Sequence, residues 1–356
     1  MNSQRNELSN RGYAGPAFRP HQGGFSLIEV MFGVLISMIV IAGGYTVMTS
    51  SEQAANINDQ TAQMQQSARI AMELISRDLQ TAGFGIDGAV GGCATPIVPQ
   101  DHTSTGADTG PDSVDMVVPS NLGTLALQFV GSPTANQFRL SPAGTVTAMA
   151  AEGFGVGSSV SINGAVTGTV STVAAVTDDV TISNTLAAPA TFPAGTPVYW
   201  LRCTRYDIAT SAAACSGNAP CLRRGVVPGG VTPPTMVPIA EGIEDLQLAY
   251  ACDGCGGAVP DGIIDDQNAS NTFDDADFLS NTTWTAAPQI PESIRLVRLS
   301  VVARQLRSDP WWQSTAPIRI EDHDHQDDAG FDQQTYKQFR RRLFTRTVEV
   351  RNIGLE

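Results

Sequence analysis

Glu29 stands alone in an apolar run that covers residues 25–48, five positions beyond the pair Gly23-Gly24. A charged side chain at membrane depth costs about 2.5–3.5 kcal/mol on insertion scales, so this carboxylate needs a partner. Hydrolysis between Gly24 and Phe25 would create one, because the new amine of Phe25 would stand about one helical turn away. Six cysteines form a second chemical set: Cys93, Cys203, Cys215, Cys221, Cys252 and Cys255, all beyond the apolar run. An even number on one side of a span reads as a disulfide framework. Composition leaves the pairing open; short-range closure favours Cys215 with Cys221 and Cys252 with Cys255, leaving Cys93 for Cys203. A zinc knuckle at Cys252-Asp253-Gly254-Cys255 is the rival, but no second knuckle of matching spacing follows.

Two further clusters could hold metal ions. Asp253, Asp261, Asp265, Asp266, Asp274, Asp275 and Asp277 fall close together. Hard oxygen ligands at that density could hold calcium, with Asp261, Asp265 and Asp266 the foremost candidates. No stretch meets the EF-hand loop pattern, and solvated loop acids are the simpler reading. In Glu321-Asp322-His323-Asp324-His325 two histidines lie two residues apart. On a strand they would share a face and could take a transition metal; in a loop they would do nothing. Trp311-Trp312, after Pro310, offers either a contact surface or buried packing. Arg340-Arg341-Arg342 is either a local basic patch or the Arg-rich end of a strand.

The elements that position these groups follow from the hydropathy pattern. The apolar run exceeds the ~20 residues that cross a bilayer. It can be an export signal cut after Ala42-Gly43-Gly44, a plain anchor, or a span kept after cleavage before it. The first reading fails on length and on Glu29, and the second leaves Glu29 unexplained. Beyond the run, Ala54, Ile57, Thr61, Met64, Ala68, Ala71, Ile75, Leu79 and Ala82 recur at steps of three and four. This is the stripe of an amphipathic helix. Arg69 with Glu73 and Glu73 with Arg77 are spaced as i,i+4 pairs on its exposed face. Gly83 and Gly85 end the pattern. A helix over residues 26–82 would be about 85 Å long.

From residue 86 the pattern becomes β. Residues 113–118 and 125–130 alternate, and residues 151–200 are rich in Val, Thr, Ser, Ala and Gly, with a hairpin turn at Asn163-Gly164. Residues 151–200 read as a small antiparallel subdomain inserted between a first β part (86–150) and a C-terminal β part (201–356) carrying the acidic loop at 252–280. In that last part Leu246, Leu248 and Tyr250 alternate, and residues 293–305 and 342–352 form long strands, the latter with Phe344, Val348 and Val350 on one face.

Charge and motifs exclude several functions. The formal charge is −14, and removing residues 1–24, with three Arg and one Glu, leaves −16. A general nucleic-acid binder needs a basic surface. No nucleophile elbow, phosphate-binding loop or HExxH motif occurs. The four histidines (His21, His102, His323 and His325) leave little for a His-centred triad, and no enzyme is expected.

Gly24-Phe25-Ser26-Leu27-Ile28-Glu29-Val30 resembles the cleavage and methylation motif of type IV prepilins. The order of the later pieces is similar to minor pilins of the PilW type, with Val297, Arg298, Ser300 and Val301, then Val348, Arg351 and Asn352, at the matching strand positions. The resemblance implies an α+β, pilin-like fold: a leader (1–24), a membrane or filament-core helix (25–48), its amphipathic continuation (49–85), and an antiparallel β head. It implies that the prepilin peptidase and N-methyltransferase cuts after Gly24 and methylates Phe25. Glu29 would pair with an N-terminal amine during assembly. The partners implied are other minor and major pilins and the inner-membrane assembly platform. The chain would cross the inner membrane once with its head in the periplasm, then enter the pilus at the cell surface. Arg5, Arg11 and Arg19 fit the positive-inside rule. Where many pilins bend their helix with proline, this chain has Gly43-Gly44. A minor pseudopilin of a type II secretion system and a calcium-dependent pilus-associated adhesin are the alternatives, and apart from calcium no cofactor is expected.

Overall fold

The structure, a computed structural model, describes residues 24–102, 108–132, 136–184, 189–215, 217, 219–230, 233–257, 259–315 and 318–353. Of the expected leader only Gly24 falls within them. A single helix, α1 (Leu27–Thr81), runs without interruption through Gly43-Gly44. It belongs to two compact units that meet after Ile57.

In the first unit no side chain of the apolar stretch is buried, and its mean hydropathy reaches 2.3. Its polar hydroxyls are satisfied locally. Ser37 donates to the Gly33 carbonyl at 2.7 Å, Thr46 to Gly43 at 2.8 Å and Ser50 to Val47 at 2.9 Å. A segment with its backbone and hydroxyls paired internally can leave water at low cost. The helix is therefore long and apolar enough to cross a membrane.

The second unit begins at Asn58. There the stripe turns inward: Met64, Ala68, Ala71, Ile75, Leu79 and Ala82 are buried. Ala54 is exposed, and Ile57 and Thr61 are half-buried. The expected pairs of Arg69, Glu73 and Arg77 give way to a contact of Arg77 with Asp78 at 3.4 Å. Gly83 and Gly85, with φ of 80° and 65°, turn the chain out of α1.

The strands that follow are β1 (Ile97–Gln100), β2 (Ser113–Leu125), β3 (Phe129–Gly131) and β4 (Gln137–Ser141). After a short helix, α2 (Thr145–Ala150), come β5 (Ser159–Ile162), β6 (Val166–Ala174), β7 (Asp179–Asn184) and β8 (Ala190–Phe192). Next are β9 (Pro197–Ala209), β10 (Cys221–Val226), β11 (Thr235–Glu241), β12 (Ile243–Cys252) and β13 (Ile294–Arg304). The chain closes with β14 (Arg319–Ile320), β15 (His323–Asp324), α3 (Gln333–Lys337) and β16 (Arg341–Glu349). Nine strands form one antiparallel sheet in the order β1-β2-β4-β7-β6-β5-β9-β10-β11, and β12-β13-β16 form a second.

The Asn-Gly signal has a direct cause. Asn163 and Gly164 have φ of 54° and 74°, and the Ala165 N–H donates to the Ile162 carbonyl at 3.0 Å, closing the β5–β6 hairpin over residues 163–165. Residues 151–200 do not make a sheet of their own. β5, β6 and β7 join the nine-stranded sheet through β4–β7 and β5–β9, β8 pairs with β3 in a two-stranded sheet, and the core beneath them draws on residues from Leu122 to Trp200. The larger core joins the buried stripe of α1 to Leu246, Leu248, Tyr250, Val297, Leu299 and Val348 of the second sheet. The alternation expected across 125–130 breaks, because β2 stops at Leu125 and β3 starts at Phe129.

Candidate functional site

Gly24 and Phe25 precede the first turn of α1. Among the described residues nothing lies within 4 Å of a Cβ placed on Gly24, so none of their packing demands glycine there. A requirement for glycine would arise in whatever reads the peptide bond. Phe25 is 80% exposed, and Glu29 is exposed in the first turn, where the helix dipole favours an acid. Its backbone N–H donates to the Ser26 carbonyl at 2.9 Å. The two groups that chemistry would act on are therefore presented one turn apart on the same exposed helix end.

In the second unit the decisive acid is one that the sequence pattern hid. Asp78 is 2% exposed and shares the inward face of α1 with Ile75 and Leu79. Its Oδ2 accepts from the Tyr206 hydroxyl at 2.6 Å and from Arg224 Nη2 at 2.9 Å, while Arg224 Nε donates to the same hydroxyl at 2.9 Å. Burial first, then the Asp78 charge, raises the Tyr206 pKa and keeps that hydroxyl a donor. Asp78 falls at helical spacing within the stripe, and that placement was the available signal. An acid on an apolar face requires donors opposite it. At the end of α1, Asn352 Nδ2 donates to the Gln80 carbonyl at 3.3 Å, so a terminal residue caps the last turn.

Disulfides join Cys93 to Cys203, Cys215 to Cys221 and Cys252 to Cys255, with Cα separations of 5.4, 5.8 and 5.8 Å. The acids after Cys252 are engaged one by one. Asp253 accepts from the backbone of Asp261 and Gly262, Asp265 from Gly254 and Gly256, Asp261 from Ile263, and Asp266 from Asn268, Ser270 and Asn271. A loop without a ladder needs acceptors for its N–H groups, and these carboxylates supply them. Among the described residues, Asp261, Asp265 and Asp266 are not gathered into one ligand set.

The basic run is spent internally. Arg340 lies over Trp312 and pairs with Asp309, and Arg341 pairs with Glu244 and stacks on Tyr336. Arg342 lies over the Phe344 ring. Trp311 stays 94% exposed. Arg298, by contrast with a plain strand residue, donates to Glu321 at 2.9 and 2.6 Å and stacks on Phe278, tying β13 to the acidic loop.

His323 and His325 are both buried, and the fold brings Asp245 of β12 and Asp328 to them. Burial works against charging His323, but the hydrogen bonds and charges of Asp245 and Asp328 outweigh it and push its pKa up to about 9. Asp245 could not be found from sequence, since it lies 78 residues from His323, whereas Asp328 is only five residues away.

The family described as Type IV Pilus-assembly protein W matches residues 205–352, and the family described as Prokaryotic N-terminal methylation motif matches residues 19–45. The chain carries a PilW domain behind an N-terminal methylation motif. The PilW domain takes in the end of β9, all of β10 to β13 and β16, two of the three disulfides and the buried histidines. The methylation motif brackets Gly24, Phe25 and Glu29 and implies processing by the prepilin peptidase and assembly with other pilins. A type IV-like pilin from Thermus thermophilus, TTHA1219, is similar at 11% identity over 81% of this chain and 97% of that one, with a TM-score of 0.32. At that score the likeness adds nothing to the fold described above. No curated protein sequence matches the chain.

Proposed function

We propose that the chain is a minor pilin, cut between Gly24 and Phe25, methylated at Phe25 and built into a type IV pilus. The observation that carries this is the methylation motif at the head of an apolar helix whose side chains have no cover of their own. Lipid covers such a face first, and the apolar helices of neighbouring subunits replace lipid in a filament. The head, on this reading, faces the periplasm and then the cell surface, and the inner-membrane assembly platform feeds the chain into the fibre. Glu29 meets the methylated amine of its own chain or of a neighbour, so that charge pairing sets the axial step. The size of the head favours a tip or priming place over the shaft, because a bulky head tiles poorly in a dense helix.

Mass spectrometry of the N-terminus of protein recovered from membranes tests the reading. The expected chain begins at N-methylated Phe25. A chain beginning at Met1, or after Gly44, would remove the pilin reading altogether.

A further inference from the structure

We propose that Asp245, His323 and His325 hold a divalent transition-metal ion, zinc foremost, inside the head. All three side chains are buried, at 0%, 1% and 4% exposure, and each offers a ligand atom within 4.8 Å of the other two. Asp245 Oδ2 lies 3.0 Å from His323 Nδ1 and 3.6 Å from His325 Nε2. Ligands on a tetrahedral zinc with bonds near 2.0–2.1 Å stand roughly 3.3 Å apart, and the two distances bracket that value.

The hydrogen bonding around the three residues is that of a metal site's outer layer. Asp328 meets the opposite nitrogen of both rings, His323 Nε2 at 2.9 Å and His325 Nδ1 at 3.1 Å. Metal-binding histidines give their far N–H to a carboxylate, which fixes the tautomer and aims the near nitrogen's lone pair at the ion. One carboxylate does this for two rings here. The other oxygen of Asp245 is taken by Gln247 Nε2 at 3.0 Å, so Oδ2, which faces His323 Nδ1, is the oxygen an ion would take in place of the proton between them.

His325 supplies the independent sign. Its Nε2 is buried and has no hydrogen-bond partner among the described residues. With Nδ1–H given to Asp328, Nε2 carries a bare lone pair toward a carboxylate oxygen. Two electron-rich atoms facing each other out of water need a proton or a metal ion between them, and a metal ion would also meet the nearby His323 Nδ1. Two imidazoles and one carboxylate suit zinc and its neighbours better than calcium, which takes six or more oxygens. The ring of Tyr336, under the Arg341 guanidinium, lies 5.4 Å from the His325 ring and walls that side. An ion there would clip β15 and the turn after it onto β12, so binding energy would become folding energy.

The test uses the full chain in detergent, purified through a tag without histidine, stripped with chelator and titrated with zinc. One ion per chain by elemental analysis and a raised Tm are expected, and cobalt in its place should show the visible bands of a four-coordinate site. His325→Gln should weaken binding at least tenfold and Asp328→Asn about 10–100-fold, while Asp261→Asn should leave it unchanged. Wild-type protein that holds no zinc at saturation, or binding that survives His325→Gln, would overturn the proposal; the wild-type measurement needs no variant to fold.

Discussion

Single carboxylates decide much of this molecule, and each works in a different medium. Glu29 lies on an uncovered apolar helix, where the proposed function makes it the counter-charge to an amine created by cleavage. Glu29→Ala should be processed normally yet enter pili poorly, and undiminished incorporation by immunoblot of sheared pili would remove that role. Asp78 lies in protein, with Tyr206 and Arg224 as its donors. Asp78→Ala strands both, and the cost should fall near the lower end of the ~3–5 kcal/mol typical for a broken buried pair, since Arg224 keeps some contact with water. Denaturant unfolding of the head would measure it, and Arg224→Met added to Asp78→Ala should recover part of the loss. Asp112 is a third case. Burial raises its pKa to about 9 against the backbone bond from Leu248, and Asp101, Asp322 and Asp108 add to the rise. The folded chain then keeps a proton that the unfolded chain releases, so stability falls as pH climbs from about 4 to about 9. Asp112→Asn should flatten that slope in Tm measured against pH, and an unchanged slope would assign it elsewhere.

At the scale of elements, the same chemistry is spread over chain distance. Cys93–Cys203 closes a separation of 110 residues and joins the segment after α1 to β9. Cys252–Cys255 closes a separation of three. On the chain-entropy account, the long bridge restricts the unfolded state far more. Replacing Cys93 and Cys203 together by Ser should cost about 2–5 kcal/mol, and replacing Cys252 and Cys255 should cost less; thermal unfolding of the two double variants ranks them. The β5–β6 hairpin shows where local and tertiary demands meet. Asn163-Gly164 makes the turn by backbone conformation, but a Cβ on Gly164 would also stand 2.6 Å from the Phe84 ring. That ring in turn packs edge-on against Tyr199 at 5.2 Å. The turn was legible in the dipeptide; the ring against it was not.

At the scale of the whole molecule, burial divides the chain at Ile57. Exposed apolar residues crowd the helix before that point, while the buried apolar clusters and three disulfides lie after it. A chain beginning at Asn58 should therefore be soluble and monomeric without detergent, with a Tm close to that of the detergent-held full chain. Size-exclusion chromatography and thermal unfolding would check this. Aggregation of that fragment would mean that the helix before Asn58 is needed to complete the core.

Periodicity carried far because it depends only on near neighbours. The residues 25–48, the stripe from Met64 to Ala82, the glycine stop and the long strands 293–305 and 342–352 are all written in local spacing, and α1, β13 and β16 follow them within a few residues. The methylation motif is equally local, since a peptidase reads a short peptide. What spacing could not show is which distant groups meet. Asp78 finds its donors 128 and 146 residues away, and Asp245 finds His323 across 78. The density of acids after Cys252 leaves calcium ligands and plain loop acids both open, and only the fold shows loop N–H groups donating to Asp253, Asp261, Asp265 and Asp266. Such pairings are set by sheet register and by the cost of burying a lone polar atom, and both exist only once the chain has closed on itself.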